Sequence, residues 1–147
     1  MRVESILPLA LQRLIKIQTD ASLADAAKLL CETHKALLVV CDSNGVMGGV
    51  ITKTDIVRQI ARNEGSLIGV KAEAVMTKEV TSCRPDDLVH DVLATMKERG
   101  LVHLPVVDEL FRPSGVVNAR DALQALLRDV TDEELLLRAY IMGIGYR

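Results

Sequence analysis

The middle of this chain repeats itself, without a gap, when the sequence is shifted by 66 residues. Residues 49–55, Gly-Val-Ile-Thr-Lys-Thr-Asp, then align with residues 115–121, Gly-Val-Val-Asn-Ala-Arg-Asp. The same shift aligns Asp20 with Asp86 and other polar positions. Shared helix or strand periodicity alone does not match polar residues at one fixed offset, so we predict two copies of one supersecondary unit. A unit this short buries little surface by itself, and the copies are expected to pack on each other.

Composition argues against several classes of protein. The chain has 147 residues, of which 49% are hydrophobic and 26% charged, as in a well-buried globular protein. Its formal net charge of −2 argues against a general nucleic-acid surface, which needs an excess of bases. No apolar run reaches the roughly 18–20 residues of a membrane span, and the first residues do not resemble a secretory signal. We predict a cytoplasmic protein without nucleic-acid or membrane partners.

The cysteines and histidines do not indicate a metal site. Cys31, Cys41 and Cys83 are widely spaced and form no C-x-x-C pair, which fits a reducing compartment. Cys31 and Cys41 lie in apolar segments and are interpreted as small buried hydrophobic residues. The three histidines show no H-x-x-x-H or H-E-x-x-H spacing. We therefore predict no metal ligand and no required cofactor.

Apolar runs and turn signals predict the order helix, strand, strand, helix in each copy, and hence an α+β fold. The predicted elements are a helix over 22–34, strands over 36–41 and 46–51 and a helix over 55–62, followed by a helix over 85–99, strands over 102–107 and 115–117 and a helix over 118–128. Gly48 and Gly49 predict a bulge or a close backbone approach. Thr131, followed by acidic residues, predicts an N-cap and a separate final helix outside the repeat. The predicted units are 1–68, 69–130 and a C-terminal helical extension, 131–147.

The clearest chemical signal is the junction between the second strand and the helix that follows it. At a helix start, free backbone N–H groups and the positive dipole end favour an anion, particularly phosphate. Thr52 adds a hydroxyl and Lys53 a charge, while Asp55 lies one turn inside the helix and can accept hydrogen bonds from ribose hydroxyls. In the competing interpretation, Thr52 and Asp55 only form a capping box that stabilises the helix. The recurrence of the pattern in both copies favours binding.

These residues resemble the signature of the CBS domain, the cystathionine-β-synthase-type module, which occurs in tandem pairs called Bateman modules. In that family each repeat ends in glycine, two apolar residues, Ser or Thr, two variable residues and Asp. Residues 49–55 match this signature fully, and residues 115–121 match it except at Asn118. Val75-Met76-Thr77 and the strand His103-Leu104-Pro105-Val106-Val107-Asp108 also resemble the family.

The resemblance implies two βαββα repeats related by a pseudo-twofold axis, with small sheets flanked by helices and ligand clefts where the sheets meet. It implies regulatory binding of an adenosine-containing ligand such as AMP, ADP, ATP, NAD or S-adenosylmethionine. It assigns Thr52 to phosphate and Asp55 to ribose in the first site. In the second site it assigns Arg120 to phosphate and Asp121 to ribose, and the departure at Asn118 leaves that phosphate contact open. The implied ligand-binding residues are Ala36, Ile51, Thr52, Lys53, Thr54 and Asp55 in the first site and Val102, His103, Pro105, Asn118, Arg120 and Asp121 in the second.

We therefore predict a stand-alone, non-enzymatic sensor of adenine nucleotides that regulates a separate, unidentified protein. The resemblance and the apolar content together predict a homodimer. The alternative is a structural dimerisation module with vestigial nucleotide sites, which the departure at Asn118 favours. An enzyme is disfavoured because no metal cluster accompanies the motif, and His103 has no nucleophile or paired carboxylate beside it.

Overall fold

The computed structural model describes residues 1–145 and shows a mixed α+β fold. A 3₁₀ turn over Val3–Ile6 precedes the regular elements. These are α1 (Leu7–Gln12), β1 (Lys16–Gln18), α2 (Leu23–Thr33), β2 (Leu37–Cys41), β3 (Met47–Thr52), α3 (Lys53–Arg62), α4 (Ala72–Val75), α5 (Val89–Arg99), β4 (His103–Val107), β5 (Pro113–Asn118) and α6 (Ala119–Gly145). The predicted order of helix, strand, strand and helix is confirmed in both copies.

The two β-hairpins have the same register, which confirms the repeat at the level of strand pairing. Leu37 lies opposite Thr52 in the β2–β3 hairpin, and His103 lies opposite Asn118 in the β4–β5 hairpin. Both hairpins shift register near their turns, at pairs that the 66-residue offset relates. The predicted bulge near Gly49 is part of this shared irregularity.

The two copies differ at their first strand. β1 pairs in parallel with β2 and makes the first sheet three-stranded, whereas the second sheet contains β4 and β5 alone. In the second copy a single parallel bridge between Cys83 and Val106 takes the place of this strand. The backbone N–H of Cys83 donates to the carbonyl of Pro105 at 2.9 Å, and its carbonyl accepts from Val107, also at 2.9 Å.

Local capping explains where the helices begin. Ser22 caps α2 by accepting a hydrogen bond from the backbone N–H of Asp25 at 3.0 Å, as predicted. The helix predicted from residue 85 begins instead at Val89. There the Asp87 carboxylate accepts from the backbone N–H of Arg84 at 2.8 Å, which holds residues 84–87 in a turn before the helix.

The predicted separate helix at Thr131 is wrong, because α6 continues from Ala119 to Gly145. The Thr131 hydroxyl donates to the carbonyl of Leu127 at 2.9 Å, a bond within the helix rather than at its start. Residues 146 and 147 of the predicted extension lie outside the described residues. Within residues 1–145, no helix combines the length and the apolar character that crossing a membrane requires.

The short leading helix of each copy packs against the sheet of the other copy. Helix α1 lies on β5, and its Ala10 belongs to the core of the second copy. Helix α4 lies beside β3, and its Ala72 belongs to the core of the first copy. A third buried cluster joins the two hairpins, with Val39 and Val50 on one side and Val107 and Val116 on the other. The two copies therefore share their cores.

Two glycines make this exchange possible. A Cβ atom on Gly49 would lie 2.6 Å from the Thr77 carbonyl oxygen, and one on Gly115 would lie 2.7 Å from Cβ of Ala10. The close backbone approach predicted for this strand is thus confirmed at Gly49. Gly49 and Gly115 stand at the same position of the two copies. In each sheet, the close approach of the neighbouring segment therefore requires a residue without a side chain.

The cysteines divide into one exposed and two buried residues. Cys31 is exposed, contrary to the prediction that it is a small buried residue, because it lies on the outward face of α2. Cys41 and Cys83 are buried and free. Burial raises the pKa of the Cys83 thiol to about 12, so this residue is present as an uncharged thiol at neutral pH.

Replacing either close-approach glycine by alanine is expected to destabilise the protein. For Gly49→Ala and Gly115→Ala we expect losses of about 1–3 kcal/mol in the free energy of unfolding, because the added methyl overlaps neighbouring backbone or Ala10. Gly48→Ala is the matched control, since its Cβ would meet only the end of the Met76 side chain at 3.4 Å. Urea unfolding measures the three values; equal stability of all three variants would contradict the packing described here.

Candidate functional site

The first candidate cavity, of about 210 Å³, lies between the two copies. Thr52 and Asp55 line it from the junction of β3 and α3. The second copy contributes Leu101, His103 and Pro105. The remaining lining residues are Leu37, Val50 and, from the segment after α4, Thr77, Glu79, Val80 and Thr81.

Thr52 and Asp55 form a reciprocal capping box at the start of α3. The Asp55 carboxylate accepts from the backbone N–H of Thr52 at 2.9 Å and from its hydroxyl at 3.2 Å, both through Oδ2. The Thr52 hydroxyl oxygen in turn accepts from the backbone N–H of Asp55 at 3.4 Å. The capping box of the competing interpretation is therefore present.

The capping box leaves one carboxylate oxygen of Asp55 available to a ligand. Asp55 is only 9% exposed yet lines the cavity, and its Oδ1 has an exposed Arg58 guanidinium at 3.6 Å as its ion-pair contact. Because Oδ2 serves the helix start, Oδ1 is the atom that can accept from a bound hydroxyl group. Capping and binding are thus compatible roles for this residue.

The second candidate cavity, of about 170 Å³, is the counterpart of the first under the 66-residue offset. Asn118 takes the place of Thr52, and Leu37 takes the place of His103. Arg13 stands where the first cavity has Glu79. The cavity is lined by Arg13, His34, Lys35, Ala36, Leu37, His103, Val116 and Asn118.

The capping arrangement in the second copy differs because Asp121 is engaged elsewhere. Asn118 Oδ1 accepts from the backbone N–H of Asp121 at 3.0 Å, so the helix start is still capped. The Asp121 carboxylate instead binds Arg13, at 2.5 Å from Nε to Oδ2 and 3.1 Å from Nη2 to Oδ1. The carboxylate that the resemblance assigns to ribose is thereby held in a bidentate ion pair.

His103 lies between the cavities and lines both of them. Its Nε2 faces Asn118 Nδ2 at 3.1 Å, and since an amide NH₂ group can only donate, Nε2 accepts and the proton resides on Nδ1. Burial lowers the pKa of His103 and the nearby Arg13 lowers it further, while Asp121 acts in the opposite direction. The ring is therefore held neutral near pH 7.

Each cavity combines predicted residues from both copies, so some residues line a different cavity from the one predicted. Ala36, which we assigned to the same site as Thr52, lines the second cavity with Asn118. Pro105, which we assigned to the second site, lines the first cavity with Thr52 and Asp55. The physical reason is the sharing of the core, which sets the start of one hairpin against the helix start of the other copy.

Other predicted residues lie away from the cavity linings. Ile51 is fully buried in the core of the first copy and lines neither cavity. The exposed residues Lys53, Thr54, Val102 and Arg120 also line neither.

Sequence reasoning missed Arg13, Lys35 and Glu79. Arg13 and Glu79 stand at the same position of the two copies, in segments that precede the repeated strands and helices. Continuing the offset beyond the strands would have identified the pair, although not its contacts.

A third cavity, of about 530 Å³, lies elsewhere and does not include either motif. Its charged lining consists of Glu4, Arg84, Asp86, Asp108 and Glu109. Among residues 1–145, no group of three or more His, Cys, Asp or Glu is arranged to hold a metal ion. We place the candidate site at the two smaller cavities, because both contain the helix starts that the repeat marks.

Comparison with known proteins agrees with the repeat and the fold. The model of the CBS domain family matches residues 4–62 and again residues 72–128. An uncharacterized 17.7 kDa protein of Acidianus ambivalens is 33% identical over 119 residues, covering 81% of this chain and 71% of that protein. The L-aspartate semialdehyde sulfurtransferase of Methanocaldococcus jannaschii is 30% identical over 107 residues, covering 73% of this chain but only 20% of the enzyme.

A solved structure with the same fold contains adenosine derivatives. It is the CBS domain pair of protein MJ0100 in complex with 5′-methylthioadenosine and S-adenosyl-L-methionine. The TM-score is 0.71 at 26% sequence identity, and the alignment covers 88% of this chain and 97% of that one.

Charge changes beside His103 are expected to move its pKa in opposite directions. Arg13→Gln should raise the pKa of His103, because it removes a nearby positive charge, and Asp121→Asn should lower it, because it removes a negative one. NMR titration of the imidazole signals measures both shifts. Shifts of the same sign in the two variants would contradict the described arrangement.

Proposed function

Because the chain belongs to the CBS domain family and carries two copies in tandem, we propose that it is a regulatory module for adenosine-containing ligands. The observation that carries this proposal is the Thr52–Asp55 junction, which opens into a cavity built by both copies. The MJ0100 domain pair, which has the same fold, holds methylthioadenosine and S-adenosylmethionine. Candidate ligands for this chain are these two molecules, AMP, ADP, ATP and NAD.

The position of the cavities provides a means of signalling. A ligand in the first cavity contacts Thr52 and Asp55 from one copy and His103 and Pro105 from the other. Such a ligand binds best when the copies are held at one separation, and it shifts the population towards that arrangement. A partner protein that prefers the same arrangement then detects the ligand.

We propose that the chain is non-enzymatic and acts in the cytoplasm on a separate protein. The hydroxyl–carboxylate pair at the first cavity, Thr52 with Asp55, forms the capping box of α3, and within residues 1–145 no other nucleophile in the two linings is paired with a base. The matched region makes up about a fifth of the sulfurtransferase, so the activity in that enzyme's name is not transferred to this chain.

A second candidate function is a structural dimerisation module with vestigial sites. The observation that favours it is the Arg13–Asp121 ion pair, which occupies the carboxylate that would otherwise bind ribose. This ion pair concerns only the second cavity. A module with one ligand-binding site is therefore intermediate between the regulatory and the structural function.

Adenosine-ligand binding is tested by calorimetric titration with AMP, ATP, NAD, methylthioadenosine and S-adenosylmethionine. We expect at least one ligand to bind, and Asp55→Asn to raise its Kd by about tenfold or more if it occupies the first cavity, since a charged acceptor is lost. Lys35→Gln is the corresponding variant for the second cavity, because Lys35 lines it. Asp25→Asn is the control, because Asp25 lies in the first turn of α2 and lines neither cavity. Failure of all five ligands at about 1 mM would leave the structural role.

We also propose that the chain forms a homodimer through α3 and α6. Val57 on α3 and Leu123 on α6 stand at equivalent positions and are 64% and 52% exposed. Leu127 and Val130 extend the exposed apolar face along α6. Equivalent apolar faces on both copies suit an isologous contact with a second chain, and a patch of this kind is uncommon on a monomer.

A charge placed on this face is expected to weaken the dimer. Leu127→Glu should raise the dimer dissociation constant by about tenfold or more, because a buried carboxylate without a partner is costly. Gln12→Glu adds the same charge at an exposed position of α1 and serves as the control. Sedimentation equilibrium gives the constants. A monomeric parent protein, or equal constants for both variants, would contradict the proposed dimer.

A further inference from the structure

The two cavities carry opposite charges at equivalent positions. Glu79 follows α4 and lines the first cavity, while Arg13 follows α1 and lines the second. These residues are related by the same 66-residue offset as Thr52 and Asn118. The repeat therefore places a carboxylate in one cavity where it places a guanidinium in the other.

The first cavity is acidic. Asp55 and Glu79 line it, and no lysine or arginine within residues 1–145 does so. Arg58 contacts Asp55 from an exposed position, with Nη1 3.6 Å from Oδ1. The start of α3 already holds the Asp55 carboxylate through the capping box, and this negative charge offsets the attraction of the helix dipole for a second anion.

The second cavity is basic. Arg13 and Lys35 line it, and no carboxylate within residues 1–145 does so. Arg13 donates to Asp121 through Nε and Nη2, which leaves Nη1 without a hydrogen bond in the described part of the chain. Asn118 caps the start of α6 without adding a charge. Lys35 forms no ion pair with any residue in the range 1–145.

From this contrast we infer that the two cavities sort adenosine-containing ligands by charge. The first cavity takes ligands that are neutral or cationic beyond the ribose, and the second takes ligands that carry phosphate. This inference rests on the proposed function and specifies the ligand class of each site. Charges a few ångströms apart discriminate between ligands of different charge, and water reduces the effect where the cavity opens.

Three ligands with the same adenosine group test the inference. Methylthioadenosine is neutral beyond the ribose, and AMP carries a phosphate. S-adenosylmethionine carries a sulfonium together with the ammonium and carboxylate of its amino-acid group, and its net charge is positive. In calorimetric titrations of the full chain, Asp55→Asn should abolish binding of the first two and leave AMP binding within about twofold of the parent. Lys35→Gln should raise the Kd for AMP by about fivefold and leave the other two unchanged.

Glu79→Gln isolates the charge effect from the shape of the cavity. It should raise the Kd for S-adenosylmethionine by about fivefold while changing that for methylthioadenosine by less than about twofold. Glu79 is exposed and forms no ion pair with any residue from 1 to 145, so the variant is expected to fold. Glu98→Gln removes the same charge from an exposed position of α5. This variant is the control and should change none of the three dissociation constants.

The outcomes separate this inference from the proposed function. Loss of AMP binding in Asp55→Asn, or an unchanged constant for S-adenosylmethionine in Glu79→Gln, would overturn charge sorting while leaving adenosine binding intact. Absence of binding by all three ligands would overturn charge sorting, and absence of binding by ATP and NAD as well would also overturn the proposed function.

Discussion

The structure depends on the exchange of leading helices between the two copies. Ala10 of helix α1 lies against Gly115, and Met76 and Thr77, which directly follow α4, lie against Gly49, at contacts too close for a side chain on either glycine. Because each helix belongs in sequence to one copy and in packing to the other, neither hairpin has a complete core alone. The same exchange delivers Arg13 and Glu79 to the cavities, since each residue follows one of these helices. Packing and ligand chemistry are thus set by a single arrangement.

Much of the fold could be predicted from local sequence. The offset that aligns Gly49 with Gly115 also aligns every pair of the two hairpins, because strand register follows from alternating burial and the turns. The Ser22 cap and the close approach at Gly49 could likewise be predicted from the sequence, since both depend on residue type at a fixed spacing. The binding-site hypothesis placed Thr52 and Asp55 in one cavity for the same reason.

What could not be predicted arises from contacts between residues distant in sequence. Ala36 lines the cavity of Asn118 and not that of Thr52, because the shared core sets each hairpin against the other copy. The pairing of Arg13 with Asp121 joins positions 108 residues apart, which no local pattern reveals. The continuity of α6 through Thr131 was missed because a threonine hydroxyl satisfies a carbonyl inside a helix as readily as it caps a helix start.

The uninterrupted course of α6 has a mechanical consequence. Asn118, which caps its start, lines the second cavity, and its far end displays Leu136, Tyr140 and Ile141 to the solvent. A helix of 27 residues is about 40 Å long. Without a break at Thr131, a tilt of about 3–5° at the start of α6 displaces Leu136 and Tyr140 by about 1–3 Å. A movement of the helix start at the second cavity is therefore transmitted to the exposed side chains at the far end of α6.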